Sequence, residues 1–151
     1  MAISERMQAA KYGEDVFNHY TYALCGDGCL MEGISQECIS FAAHHKLNKL
    51  VFIWDDNEIT IDGSTSVATS ENMMDRFSAA GWHVEQVDGH NVSQIKAAIA
   101  KARTTDMPSM IACKTTIGFG APNKAGTNGC HGAALGAPEI EGTRKNFKWD
   151  S

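Results

Sequence analysis

Four short runs of apolar residues divide the chain, and turn-forming or polar residues follow them. The run from Leu50 to Trp54 is apolar at every position, which is typical of a parallel strand that is covered on both faces. Because these runs are short and end at turn signals, they predict strands rather than helices. The predicted strands are Thr21 to Cys25, Leu50 to Trp54, Val84 to Val87 and Ser109 to Lys114.

Amphipathic stretches lie between these runs and predict helices. The stretch from Glu32 to Lys46 repeats apolar residues at helical spacing. A second helix begins near Met73 and is expected to end at Gly81. Asn91, with Gln94 three residues later, resembles a capping box at the start of a third helix. The residues expected on the buried face of the first helix are Ile34, Cys38, Phe41, Ala42 and His45.

The order of these elements predicts the fold class. Strands and helices alternate along the chain, which predicts an α/β fold with a doubly wound, mostly parallel sheet and helices on both faces. The 151 residues are expected to form a single domain. Gly118 to Gly136 follows the last strand and contains few apolar residues, so it predicts a long functional loop.

Composition and charge exclude several kinds of partner. The chain has 13 basic and 18 acidic residues, a net charge of −5, and no cluster of lysine and arginine. We therefore expect no nucleic acid partner. No apolar run approaches the ~20 residues of a membrane-spanning helix, so we expect no membrane association. The five cysteines contain no C-x-x-C pair, which favours a reducing cytoplasm.

Polar residues follow the first two predicted strands. Gly26-Asp27-Gly28 comes after the first strand and Asn57 after the second, and 57 − 27 gives 30 residues, the length of one strand-helix-strand unit. Because ligands of parallel sheets bind beyond the carboxyl ends of the strands, we expect these residues to converge. The oxygens of Asp27 and Asn57 suit Mg²⁺, which would in turn hold a diphosphate.

Glycines and one histidine complete the predicted site. Gly26 and Gly28 are expected to adopt positive φ angles and to let phosphate oxygens approach the backbone at a helix N-terminus. G-D-G by itself favours a plain turn, and its pairing with Asn57 favours a binding site. His131 lies in a glycine-rich loop from which it can reach a ligand at the sheet edge, although spacing alone favours a solvated loop histidine.

Three segments resemble the transketolase family. They are HYTYALCGDGCLMEGISQE, LVFIWDDNEITIDG and KTTIGFGAPNKAGTNGCHGA. G-D-G with a downstream D-N is shared by thiamine diphosphate enzymes in general, whereas ITIDG, GFG and KAGT…HG are more specific to transketolases. The resemblance runs from about Met1 to Trp149 and concerns the diphosphate-binding half of the cofactor's domain pair.

The resemblance implies a reaction and two cofactors. Transketolases move a two-carbon ketol unit from a ketose phosphate to an aldose phosphate, with thiamine diphosphate and Mg²⁺ as cofactors. By resemblance, Asp27, the Asn57 side chain and the main-chain carbonyl of Ile59 would ligate Mg²⁺. The backbone at Gly28 would hold the diphosphate, next to Gly26.

The resemblance also gives roles to three further residues. Ile61 would be an apolar neighbour of the cofactor. His131 matches a histidine that contacts both the diphosphate and the sugar substrate and assists proton transfer. Glu32 resembles a glutamate of the family's subunit contact.

The chain departs from the family in length. A transketolase is several times longer, and the matched segment lies between an upstream glycine-rich cofactor loop and a downstream pyrimidine-binding domain. That domain carries the glutamate that protonates the aminopyrimidine, and no glutamate of this chain is assigned that role. We therefore expect a fragment or one subunit of a split enzyme. It would bind the cofactor weakly alone and need a pyrimidine-binding domain on a second chain or subunit, within a homo- or hetero-oligomer.

Two alternative functions remain open from the sequence. The chain could be a non-catalytic cofactor-binding or assembly module. It could also belong to a related thiamine diphosphate synthase of the deoxyxylulose-phosphate type, which the KAGT…HG segment disfavours.

Overall fold

The bounds of the secondary structure come from a computed structural model that describes residues 1–149. The strands are β1 (Thr21–Gly26), β2 (Leu50–Asp56), β3 (Ile59–Thr60), β4 (Gly63–Ser64), β5 (His83–Asp88) and β6 (Ser109–Lys114). The α-helices are α1 (Ala2–Tyr12), α2 (Asp27–Met31), α3 (Gly33–His44), α4 (Met73–Ala80), α5 (Val92–Ala102) and α6 (Ala137–Asn146). The predicted domain extends to residue 151, and residues 150–151 lie outside the described residues.

The central sheet is parallel and has the strand order β1-β2-β6-β5. In its register, Gly26 of β1 lies opposite Asp55 of β2, and Asp55 lies opposite Cys113 of β6. The carboxyl ends of these strands therefore form one edge, from which the connections after β1, β2 and β6 all depart. Strands β3 and β4 form a separate antiparallel hairpin directly after β2.

Helices cover both faces of the sheet, which confirms the predicted fold class. Helices α3 and α4 enclose one core that contains Phe77 and Trp82, and α5 encloses the other with Ala98. The first five residues of β6 are buried, because this strand lies inside the sheet with a core on each side. This explains why its sequence is apolar at most positions.

The helix predicted from Glu32 to Lys46 is confirmed by α3 to within two residues at each end, but the prediction missed a preceding helix and most of the buried face. A separate short helix, α2, precedes α3, and Glu32 between them has extended backbone angles (φ −67°, ψ 139°). Most of the predicted buried face is also wrong, because Ile34 is 67% exposed whereas Ile39, which was not predicted to be buried, faces the core; the prediction for Ala42 is confirmed, since that residue is buried. Helix α3 carries apolar residues on two sides, and its sequence does not show which side the sheet covers. Of the predicted buried face, Cys38, Phe41 and His45 are also exposed.

The helix ends follow the sequence signals more closely. Gly81 ends α4 in the left-handed conformation (φ 97°). Asn91 caps α5 through its side-chain oxygen, as predicted, but Gln94 accepts the backbone N–H of Asp88 at 2.9 Å and therefore ties α5 to the end of β5. None of the helices within residues 1–149 has the length and apolar content that a membrane span requires.

Candidate functional site

A cavity of about 720 Å³ opens at the carboxyl edge of the sheet. Its walls come from the start of α2, the end of β2, the β3–β4 hairpin and the loop after β6. The structure brings all the residues of the predicted site to this cavity, and Glu32 also lies in its wall. The predicted site residues that line it are Gly26, Asp27, Gly28, Asn57, Ile59, Ile61 and His131.

Asp27 is the first residue of α2 and is only 7% exposed. The indole N–H of Trp54 donates to its Oδ1 at 3.2 Å, whereas its Oδ2 is buried and has no hydrogen-bond partner within residues 1–149. Burial, and after it the charge of Asp56, raises the pKa of Asp27. A cation beside the free oxygen would satisfy this carboxylate.

Asn57 follows β2 and is held by two hydrogen bonds. Its Oδ1 accepts the backbone N–H of Ile59 at 2.9 Å, and its Nδ2 donates to Oδ2 of Asp55 at 3.2 Å. The other carboxylate oxygen of Asp55 accepts the hydroxyl of Thr115, next to the end of β6. The amide orientation is thus fixed, and its oxygen keeps a second lone pair for a ligand.

The charge of the cavity wall bears on what it can bind. The carboxylates of Asp27, Glu32, Asp55 and Asp62 line it, and no lysine or arginine of the described residues does. A diphosphate alone would be repelled by this wall. A divalent cation held by these carboxylates would remove the repulsion.

The neighbouring acidic residues Asp56 and Glu58 already pair with a lysine. Lys114 Nζ lies 3.6 Å from Oδ2 of Asp56 and 2.6 Å from Oε1 of Glu58. Burial raises the pKa of Asp56, and the charge of Lys114 opposes that shift. Lys114 therefore compensates this pair, whereas Asp27 has no such partner among residues 1–149.

The donor set fits Mg²⁺. Within residues 1–149, no three side chains of His, Cys, Asp or Glu come close enough to hold a metal ion. The predicted set is of a different type, with one carboxylate from Asp27, one amide from Asn57 and the carbonyl of Ile59. Mg²⁺ is commonly held by one or two such oxygens, with phosphate oxygens and water completing its shell.

The expected backbone conformation of the two glycines is wrong. Gly26 has φ −100° and ψ −179°, and Gly28 lies inside α2, outside the positive-φ region. A Cβ added at either position would meet nothing within 4 Å, so both glycines border open space in the cavity wall. Their contribution is therefore an uncovered backbone. Helix α2 has only five residues, so the helix N-terminus expected here is short.

His131 reaches the cavity from the loop between β6 and α6. Buried Glu139 of α6 accepts the side-chain amide of Asn123 at 2.7 Å and the backbone N–H groups of Asn123 and Lys124 at 3.1 and 3.2 Å. These donors, the Asn123 side chain first, hold the pKa of Glu139 below its usual range. Lys124 Nζ donates to the carbonyls of residues 134–135. Both ends of the segment that contains His131 are therefore anchored.

Further contacts hold the loop against the sheet edge. The Asn128 side chain donates to the carbonyl of Ile61 at 3.2 Å, which joins the loop to the hairpin. The ring of His90 stacks on Phe119 with centroids 3.9 Å apart, and its Nε2 accepts the backbone N–H of Thr116. These contacts therefore fix the loop in place at the edge of the cavity.

Sequence reasoning missed three residues of this site, Trp54, Asp55 and Glu139. The apolar run around Trp54 signalled a strand, and a buried indole N–H requires an acceptor, but nothing in the sequence identified Asp27 as that acceptor. The adjacent D-D-N sequence marked Asp55 as polar without showing its partners. Glu139 carried no signal, because its partners are separated from it by the loop.

Comparisons of sequence give one family. The family profile described as "Transketolase, thiamine diphosphate binding domain" matches residues 1–151. The chain is 53% identical over 150 residues to a transketolase of Cereibacter sphaeroides, and 51% identical over 154 residues to transketolase 1 of Escherichia coli K12. Each match covers 99% of this chain and 23% of the relative, so the chain spans about a quarter of the length of those relatives.

Comparisons of structure agree. A transketolase of Campylobacter jejuni superposes with a TM-score of 0.96 at 38% sequence identity, covering 99% of this chain and 24% of the other. A transketolase of Leishmania mexicana superposes with a TM-score of 0.94 at 43% identity, covering 99% of this chain and 23% of the other. This chain belongs to the transketolase family and matches its thiamine diphosphate-binding domain.

Proposed function

We propose that this chain supplies the magnesium and diphosphate half of a transketolase-type active site. Asp27, the Asn57 amide oxygen and the Ile59 carbonyl would hold Mg²⁺ there. The observation that carries the proposal is the buried carboxylate of Asp27. Its Oδ2 has no hydrogen-bond partner within residues 1–149, and the residue lines the same cavity as the other two proposed ligands. A diphosphate bridged by the metal would overcome the acidic character of the wall.

The remaining wall residues have complementary tasks. The backbone at Gly26 and Gly28 leaves room for the diphosphate, and Ile61 offers an apolar surface to the cofactor. His131 would contact the diphosphate and the sugar substrate and move a proton on the substrate. When bound, thiamine diphosphate supplies a nucleophilic carbon and an electron sink for cleavage and formation of a carbon–carbon bond.

The proposed reaction is transfer of a two-carbon ketol unit between sugar phosphates, in the cytoplasm. It would require a pyrimidine-binding domain from a second chain or subunit. Glu32 and Cys29 lie in the cavity wall and are both exposed, so this side of the cavity is open to residues of another domain.

Calorimetry of the 151-residue chain tests the half-site. Thiamine diphosphate titrated in the presence of Mg²⁺ should bind, and chelation of the metal should abolish that binding. Thiamine, which lacks the diphosphate, should not bind under either condition. Binding of thiamine diphosphate that is equally tight without a divalent cation would overturn the proposed site.

A turnover assay tests the need for a second chain. The chain is mixed with cofactor, Mg²⁺, a ketose phosphate and an aldose phosphate, with and without the pyrimidine-binding part of a related transketolase. We expect ketol transfer only in the complemented mixture. Robust transfer by the chain alone would refute the requirement, and cofactor binding without transfer in any mixture would favour a non-catalytic module.

A further inference from the structure

Trp54 is the residue whose indole holds the Asp27 carboxylate. Its side chain is 9% exposed and packs in the core between the sheet and helices α3 and α4. Its Nε1–H donates to Oδ1 of Asp27 at 3.2 Å, across 27 positions of sequence. Because strand and core fix the ring, the donor occupies a fixed point behind the carboxylate.

The contact divides the two oxygens of Asp27 between two tasks. Trp54 does not line the cavity that Asp27 shares with Asn57 and Ile59, but it lines a neighbouring cavity together with Asp27. Oδ1 is therefore occupied by the indole, while Oδ2 has no hydrogen-bond partner within residues 1–149. An indole N–H donates and does not accept, so it pairs with an oxygen that carries negative charge.

We propose that Trp54 is a positioning residue of the cation site, which orients the Asp27 carboxylate through Oδ1 so that Oδ2 binds the metal. This inference rests on the proposed function. Hydrogen bonds to a ligating carboxylate set its orientation, and their loss commonly weakens metal affinity by about 10–100-fold.

The chain offers a matched control in Trp82. Its indole is also buried and donates to a single oxygen, the backbone carbonyl of Ile39, at 2.9 Å. It belongs to the same core as Trp54, but its N–H donates to Ile39 and not to Asp27. Trp82→Phe therefore reproduces the loss of a buried indole and its hydrogen bond without the proposed effect on the carboxylate.

The test is calorimetric titration of Mg²⁺ into the 151-residue chain at a fixed concentration of thiamine diphosphate. Trp54→Phe should weaken Mg²⁺ affinity about tenfold. Trp82→Phe should change it less than about twofold, since it alters only the core. Equal affinities of the two variants would overturn the inference, whereas failure of the unaltered chain to bind Mg²⁺ with the cofactor would overturn the proposed function instead.

A second variant separates the hydrogen bond from the packing, in case Trp54→Phe does not fold. A benzothienyl analogue of tryptophan at position 54 keeps the fused ring and replaces the N–H by sulfur. It should weaken Mg²⁺ binding as Trp54→Phe does. Unchanged Mg²⁺ affinity in this variant would show that the N–H has no positioning role.

Fluorescence gives a readout that core packing alone would not change. The chain has three tryptophans, so the double variant Trp82→Phe, Trp149→Phe leaves Trp54 as the single emitter. Mg²⁺ with thiamine diphosphate should shift its emission, because the charge on the oxygen that accepts its N–H is then shared with a cation. If calorimetry shows that the chain is saturated with Mg²⁺ and the Trp54 emission is unchanged, the proposed link between Trp54 and the metal site would be contradicted.

Discussion

The cavity has two walls that are built in different ways. The sheet-edge wall holds Asp27 and Asn57, which the parallel register of β1 and β2 brings to one edge. The loop wall holds His131, and its segment contains no strand. This segment is held mainly by side-chain contacts, among them three hydrogen bonds that it donates to the buried carboxylate of Glu139. Backbone pairing thus positions the first wall, whereas side-chain contacts position the second.

The two buried carboxylates differ in the same way. Within residues 1–149, Asp27 accepts one hydrogen bond of normal geometry, from Trp54. The backbone N–H of Glu58 also favours its charge, but burial outweighs both and raises the pKa of Asp27. Glu139 has three donors, two from Asn123 and one from Lys124, and a lowered pKa. The Asp27 carboxylate therefore lacks a full set of hydrogen bonds at the position where a ligand is expected. The Glu139 carboxylate has its hydrogen bonds, and its task is to hold the loop. The sheet-edge wall is therefore the less stable of the two walls until its ligand binds.

Among the substitutions considered, Asp27→Asn is expected to have the largest effect on cofactor binding. It removes the charge that attracts Mg²⁺, so metal-dependent affinity for thiamine diphosphate should fall by about 100-fold or more. It also removes a buried charge without a cationic partner, so the metal-free chain should be stabilised by up to about 1 kcal/mol. Calorimetry measures the first effect, and urea unfolding measures the free energy of unfolding.

Asp62→Asn is the control, because Asp62 is an exposed carboxylate in the same cavity wall. It should change both measurements little. If Asp27→Asn destabilised the metal-free chain, the carboxylate would have a structural role, and the contrast with Glu139 would fail.

The sheet-edge wall was largely predictable, for a physical reason. Parallel strands end at one edge, so the chain order and the 30-residue spacing were enough to bring Asp27 and Asn57 together. The strand runs carried their own signal, since a sheet covered on both faces needs apolar residues at nearly every position.

What could not be predicted depends on contacts between distant residues. The Trp54–Asp27 and Glu139–Asn123 hydrogen bonds join positions 27 and 16 residues apart, and no periodic pattern encodes them. The backbone angles of Gly26 depend on the start of α2, a helix that the sequence did not predict because G-D-G indicates a turn. The buried face of α3 depends on which side meets the sheet, which is a property of the packed molecule.

Acidification should separate the two walls, because their carboxylates are shifted in opposite directions. A proton competes with Mg²⁺ at Asp27, so Mg²⁺ affinity should fall as the pH drops through its raised pKa, approaching about tenfold per pH unit below it. Ionised Asp27 costs the metal-free chain stability above that pKa, and protonation restores it. The pKa of Glu139 is lower in the folded chain than in the unfolded chain. Its ionised carboxylate therefore stabilises the loop fully above the unfolded pKa, and this stabilisation is lost as the pH falls through the lower folded pKa.

Two measurements over the same pH range check this order. Mg²⁺ calorimetry reports the sheet-edge wall, and amide hydrogen exchange of residues 123–135, corrected for intrinsic rates, reports the loop. Mg²⁺ binding should weaken at a higher pH than loop protection. Simultaneous loss of both would indicate that the two carboxylates share one transition.

Glu139→Gln should loosen the loop wall alone. Glutamine keeps one acceptor oxygen but presents an NH₂ group to donors that the second carboxylate oxygen had satisfied. Amide exchange of residues 123–135 should become about fivefold faster, while Mg²⁺ affinity stays the same. Glu141→Gln is the matched control, because Glu141 lies on the same helix and its one ion pair among the described residues is with exposed Lys145. Equal exchange in both variants would refute the anchoring role.

His131→Ala should have the smallest effect on cofactor binding. His131 lines the cavity from the loop, whereas the proposed metal ligands Asp27, Asn57 and Ile59 belong to the sheet-edge wall. Mg²⁺ affinity should therefore be unchanged, and thiamine diphosphate affinity should fall only about twofold, because the lost contact to the diphosphate is partly replaced by water. Calorimetry beside Asp27→Asn measures both. A loss as large as that of Asp27→Asn would place the cofactor's main attachment in the loop and reverse the contrast between the two walls.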